Sequence, residues 1–302
     1  MKEFFKQIAK FICIFIILLF VIEMIVRLIP NSYKNKLKLL ENNSESVEAL
    51  IFGSSHAQNG INPIYFHQKV LNMALEGQGI TIDSFVLEKY VNQLTRLKYI
   101  LLPIDYQTLY MFDAYGSDDR YMYYNIYYGY EPNIFSIDNY EIFHPNSIVK
   151  KIKQFVMGNC YFSDDKLGFG SSKKKSINGA DETLLWQTVT NFENDTIRKN
   201  IDALERIAQI AYEKDLFLLI VSIPTHHTFF ENTDSVQELF TRHEIDRIVA
   251  KSDKFMYFDY FKMPLDDDDF SDATHLNIYG AEKFSRVLAN KLDSLELLNV
   301  EK

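Results

Sequence analysis

Ala49-Leu50-Ile51-Phe52 runs directly into Gly53-Ser54-Ser55-His56. Four apolar residues without alternation describe a short strand covered on both faces, as in a parallel sheet. The small residues behind it suit a tight turn at the strand's end. Four further runs have the same character: Val70–Ala74, Tyr99–Leu102, Leu216–Ser222 and Phe255–Asp259. Between and after them lie amphipathic stretches at Ile80–Leu97, Asp195–Lys214, Ser235–Ser252 and Ile278–Leu298, with Asp195, Thr196 and Ser235 at N-cap positions. Alternating strand and helix predicts an α/β fold with a doubly wound parallel sheet. Such sheets bind ligands beyond the carboxyl ends of their strands, where Gly53-Ser54-Ser55 falls.

Near the other end stands Phe270-Ser271-Asp272-Ala273-Thr274-His275-Leu276-Asn277, followed by Gly280 and the last amphipathic stretch. Serine is a weak nucleophile and needs a base within hydrogen-bond reach. His275 could take the proton of Ser55, and Asp272, on the same loop, could hold the other ring nitrogen. A Gly-Ser-Ser turn alone is an ordinary strand-to-helix connection, and a lone Asp-x-x-His is usually structural. Their joint placement, after the first strand and before the last helix, is what suggests a catalytic triad. The Ser55 N–H and the glycine loop Asn72-Met73-Ala74-Leu75-Glu76-Gly77 could donate to an oxyanion.

Pro224-Thr225-His226-His227 follows the fourth strand, so His226 and His227 are candidate substrate contacts, with a polar loop as the plain alternative. His56 is expected to cap or pack the helix after the nucleophile. Asp266–Asp269 is expected to be a solvated loop, because consecutive carboxylates cannot all converge on one ion. Its charge, so close to His275, is expected to raise the pKa of that ring. No metal or other cofactor is expected.

Composition excludes several classes. A net charge of −9, with no basic stripe among aromatics, argues against nucleic acid, and Lys173–Lys175 is expected in a solvated loop. Cys13 and Cys160 are the only cysteines; they are not expected to pair, and no metal-type spacing exists. Phe11–Ile29 is almost wholly apolar and long enough to cross a bilayer, with Glu23 and Arg27 four apart near its far end, where they can pair. Lys2, Lys6 and Lys10 favour an orientation with the N-terminus inside, weakened by Arg27, Lys34, Lys36 and Lys38 beyond. No small-x-small cleavage site follows, so residues 1–30 are taken as a signal anchor rather than a cleaved leader. Residues 31–48 read as a linker, and 49–302 as the α/β domain, outside the cytoplasm. A Tyr-rich insertion at about 109–191, partly helical around Ser147–Met157, contains Tyr121, Tyr123, Tyr124, Tyr127, Tyr128 and Tyr130. It could stack sugar rings over the active-site end or simply pack its own interior.

The chain resembles the SGNH, or GDSL-like, hydrolases. Gly53-Ser54-Ser55 looks like the family's first block with Ser55 as nucleophile, and Asn72–Gly77 is similar to the second, implying Gly77 as an oxyanion donor. Asp272-Ala273-Thr274-His275 matches the fifth block. The resemblance implies a flavodoxin-like, three-layer α/β/α fold around a central parallel sheet. The third block departs from the pattern: Pro103-Ile104-Asp105-Tyr106-Gln107 stands where Gly-x-Asn-Asp is expected, leaving Gln107 or the Tyr106 hydroxyl as replacement donors. With the anchor, the likeness implies a membrane-bound esterase or acyltransferase acting on acyl, especially acetyl, groups of an extracytoplasmic glycan or an acylated small molecule. A multi-span acyl-donor protein is an expected partner. The alternative is a non-catalytic glycan-binding or assembly component of a cell-envelope polysaccharide system.

Overall fold

A computed structural model of the chain describes residues 1–112, 118–131, 135–157, 166–170 and 194–300. Cys160 and Lys173–Lys175 lie outside the described residues. The helices in chain order are α1 Lys2–Leu28, α2 Ser32–Asn42, α3 Ser55–Gly60, α4 Ile80–Tyr90, α5 Asp118–Tyr123, α6 Pro145–Val156, α7 Asp195–Glu213, α8 His227–Phe230, α9 Ser235–Val249 and α10 Ile278–Val300. The chain divides into two compact units, one of Lys38–Gly116 with Asp164–Lys302, the other of Met1–Leu37 with Ser117–Ser163.

The larger unit is the α/β body. Strands β1 Ala49–Ile51, β2 Val70–Asn72, β3 Tyr99–Pro103, β4 Phe217–Val221 and β5 Phe255–Phe258 form one parallel sheet in the order β2-β1-β3-β4-β5. That order is flavodoxin-like, and its direction switches between β1 and β3. Alternate residues divide between two faces, as the strand pleat requires. Ala49, Ile51, Tyr99, Leu101, Leu219 and Val221 share a core with Phe284, Leu288 and Leu292 of α10. Leu50, Ile100, Leu102, Leu218 and Ile220, on the opposite face, are also fully buried. Helices therefore cover both sides, and the absence of alternation has its cause there. α10 packs with α3, while α7 contacts both α4 and α9.

Four of the five strands lie within the runs expected from sequence, and β3 runs one residue beyond its own, to Pro103. Two caps fall one residue early: the side chains of Asn194 and Asp234 accept the first backbone N–H groups of α7 and α9. Each starts its helix because a short acceptor side chain with extended backbone can reach N2 or N3.

In the smaller unit, α1 is long and apolar enough to span a membrane; 27 residues at the helical rise measure about 40 Å. Ser32–Asn42, read above as linker, is helical. Tyr123, Tyr124 and Tyr128 are buried, with Tyr123 and Tyr124 each 5.0 Å from the Tyr33 ring. These three rings pack the unit's interior and are not available as a sugar platform.

Candidate active site

The turn after β1 places Ser55 as the first residue of α3. Gly53 has φ +108°, a conformation that a side chain disfavours, and a Cβ there would stand 3.3 Å from that of Ala57. The Gly53 N–H donates to Asp83 Oδ1 at 3.2 Å, and its carbonyl accepts from Leu75 N at 3.2 Å. Asn72, fully buried at the end of β2, donates to the carbonyls of Ala57 and Ile61 at 2.9 and 2.8 Å. The nucleophile turn is thus held by α4 from one side and by the end of β2 from the other.

The loop before α10 brings the other two residues. Asn277 donates to the carbonyls of Asp268 and Phe270 and accepts from Tyr279 N and Gly280 N, closing the loop onto the helix start. Gly280 is needed there, since a Cβ would lie 2.2 Å from the Asp269 carbonyl oxygen. Asp272 Oδ1 accepts from the N–H groups of Thr274 and His275, each at 2.9 Å, and from the Thr274 hydroxyl at 3.0 Å.

These loops bring Ser55, His275 and Asp272 together. Ser55 Oγ lies 2.8 Å from His275 Nε2, and His275 Nδ1 lies 2.9 and 3.0 Å from the two oxygens of Asp272. Burial disfavours an ionised Asp272, yet its bonds to His275 and Thr274 outweigh this and hold its carboxyl well below the usual range. An ionised carboxylate can only accept, so Nδ1 carries the proton and Nε2 of the neutral ring accepts from the Ser55 hydroxyl. That is the tautomer a general base requires.

His56 is buried, and its Nδ1–H donates to Asp105 Oδ2 at 2.8 Å. Its ring packs edge-on against His275, with centroids 4.5 Å apart. Burial works against a charged His56, but Asp105, and more distantly Asp272, outweigh it and raise its pKa. His275 shifts the other way: burial lowers its pKa, and the neighbouring charge of His56 lowers it further, against the pull of Asp272. The upward shift expected from Asp266–Asp269 is therefore corrected. Within that run Asp269 is buried against Lys283 at 2.7 Å, and only Asp266–Asp268 remain exposed.

The Tyr106 hydroxyl accepts from Asp234 N at the start of α9, and its ring packs against that of Phe229. Gln107 is buried, and its Oε1 has no hydrogen-bond partner. Gly77, at φ +69°, is buried in the loop after β2. His226 is buried; its ring meets Thr228 Oγ1 at 2.8 Å and Asp267 Oδ1 at 3.1 Å, and its backbone N–H donates to Ala273 O. It ties the β4 loop to the loop bearing the base, while His227 is exposed. Among the described residues, His226, His227 and Asp267 form the one group of three or more His, Cys, Asp or Glu whose ligand atoms all lie within 4.8 Å of one another. A cavity of about 380 Å³ opens beside Asp105, Tyr106, Glu238, Arg242 and Asp259; neither Ser55 nor His275 lines it.

Asp83, Asp105 and the pairing of His56 were missed from sequence. The signals for Asp105 were its position at a strand's carboxyl end and its place in the stretch that departs from the third block; Asp83 offered none.

No family model and no curated protein matches the chain. Among solved structures, a proposed platelet activating factor from Streptococcus pneumonia is similar at 11% identity, covering 94% of this chain and 99% of that one, with a TM-score of 0.44. A family two carbohydrate esterase from Clostridium thermocellum, in complex with cellohexaose, is similar at 9% identity, covering 83% and 65%, with a TM-score of 0.38.

Proposed function

We propose that the chain is a membrane-anchored serine esterase or acyltransferase acting on O-acyl, especially acetyl, groups of an extracytoplasmic glycan. The observation that carries this reading is the unbroken chain of hydrogen bonds from Ser55 through His275 to Asp272. In the first step the Ser55 oxygen attacks the acyl carbonyl as its proton passes to His275 Nε2. The imidazolium, held by Asp272, then protonates the departing alkoxide and leaves an acyl-serine. Water, or a sugar hydroxyl activated by the same ring, completes the cycle; hydrolase and transferase differ only in that acceptor.

The Ser55 N–H, which has no intrahelical partner at the start of α3, is the first oxyanion donor, with Gly77 as the second. Supporting an anchored enzyme is α1, whose length and composition suit a membrane span. The glycan substrate, an acyl-donor membrane partner and the extracytoplasmic side rest on the resemblance and on the lysines before α1.

The deciding experiment is labelling of the full chain with a fluorophosphonate probe. Wild type should label, whereas Ser55→Ala and His275→Ala should not. Equal labelling of all three would reject Ser55 as nucleophile and leave the non-catalytic glycan-binding reading. Acetate release from a chromogenic ester, with and without a glycan acceptor, then separates hydrolysis from transfer.

A further inference from the structure

Helix α6 has its polarity turned inside out. Ser147 and Lys151, one turn apart on its inner face, are 1% and 0% exposed. Lys151 Nζ donates to both oxygens of the equally buried Glu141 at 3.0 and 2.8 Å and reaches the Tyr127 hydroxyl at 3.4 Å. On the outside, Val149, Ile152, Phe155, Val156 and the following Met157 are 43–77% exposed. A helix on a water-facing surface does the reverse, burying its apolar stripe and exposing its lysines. Phe135, Ile137 and Phe143, just before α6, add side chains that are 51–90% exposed. An exposed apolar patch of this extent marks a contact surface.

The same unit shows what covers it. Glu23, buried near the end of α1, accepts from the backbone N–H groups of Glu141 and Ile142 at 3.1 and 3.0 Å. Arg27 bonds Glu23 at 2.6 Å and the carbonyl of Asn139 at 2.9 Å. The segment leading into α6 is thereby bonded to the last turns of α1, and Glu141 carries the network on to Lys151. The ionic groups of α1 and α6 both meet the segment 139–142, while the apolar residues of each helix stay exposed. The segment bonded to the last turns of α1 stands where a membrane span would leave the hydrocarbon, and α6 follows it directly in the chain. Lys150 and Lys153, both exposed on α6, suit anionic headgroups at that depth.

We propose that α6, with Phe135, Ile137 and Phe143, is a second membrane contact, lying in the interfacial layer of the bilayer that α1 crosses. This rests on the reading of α1 as the anchor. The occupant is lipid: Val149, Ile152, Phe155 and Val156 enter the acyl-chain boundary, and Lys150 and Lys153 reach phosphate.

The test uses the full chain in vesicles of phosphatidylcholine and phosphatidylglycerol. An environment-sensitive fluorophore is placed at Ile152→Cys or Val156→Cys in a background lacking Cys13 and Cys160. Native Cys13, labelled in Cys160→Ser, reports separately on α1. The α6 labels should emit as in an apolar medium, be quenched several-fold by lipids spin-labelled near the headgroup, and resist aqueous iodide. Emission open to iodide would overturn the proposal. So would an apolar emission that spin-labelled lipid fails to quench, since the occupant would then be protein. A Cys13 label quenched by deep spin labels while the α6 labels are not would sink this proposal and leave the anchor standing. A Cys13 label also unquenched would remove both.

Discussion

On the proposed mechanism, His56 should help to set the acid limit of ester turnover. Its ring lies 4.5 Å from that of His275, centroid to centroid. Catalysis needs His275 neutral, so kcat/KM falls as pH drops through its pKa. Burial and the His56 charge hold that pKa below the ordinary 6.5, whereas the His56 pKa lies above it. In the region of the acid limb His56 is therefore an imidazolium, and its charge opposes protonation of its neighbour. At 4.5 Å, two unit charges repel by about 1 kcal/mol in a water-like medium and about 4 kcal/mol at the effective dielectric of a protein site. That corresponds to roughly 0.7 to 3 pH units. Replacing His56 with glutamine removes the positive charge and leaves the Asp105 carboxylate, which pushes His275 in the same direction. The acid limb of His56→Gln should accordingly move to higher pH within that range. The assay is a kcat/KM profile on a chromogenic acetate ester, normalised by active-site titration. Following the His275 ring by ¹⁵N NMR reads the same shift without turnover. A limb that stays in place, or moves to lower pH, would refute the electrostatic coupling of the two rings.

Ser55→Ala and His275→Ala should each lower ester turnover by about 10⁴-fold or more, and Asp272→Asn by about 10³- to 10⁴-fold, with circular dichroism unchanged. Asp83 gives a stability test. Burial pushes its carboxyl up to about 7 from 3.8, so between those values the folded state holds a proton that the unfolded chain has released. Its contribution is greatest below the unfolded value and is lost as pH rises toward 7. Between pH 5 and 8 wild type should lose about 1–3 kcal/mol more stability than Asp83→Asn in urea titrations, and parallel curves would refute this. Gly280→Ala would set a Cβ 2.2 Å from a carbonyl oxygen and should cost about 1–3 kcal/mol. Gly60→Ala meets only Ile223 and Leu276, at 3.5 and 3.6 Å, and should stay within about 0.5 kcal/mol of wild type by thermal denaturation.

Five strands and four long helices of the α/β body were legible because burial on both faces leaves an unmistakable local pattern. Ser55, Asp272 and His275 were legible too, since each sits in a short motif whose spacing a loop preserves. The pairing of His56 with Asp105 was not. It joins the turn after β1 to the end of β3, and only the order of strands in the sheet makes them neighbours. Burial first, and then the contact with His56, reversed the expected shift of His275, although Asp266–Asp269 is nearer in sequence. The contact between the Tyr106 hydroxyl and Asp234 N at the start of α9, 128 residues away in the chain, had no local signal either.

The amino-acid sequence by itself determined the alternation of strand and helix, the apolar span of α1 and the identity of three hydrogen-bonded residues. Hydrophobic periodicity and turn chemistry act over a few residues, so they survive in the linear order. Tertiary structure alone decided which charges surround His275, what props Gly53 and which face of α6 is turned outward. Those depend on pairings 30 to 220 residues apart in the chain, and electrostatic energy follows distance in space.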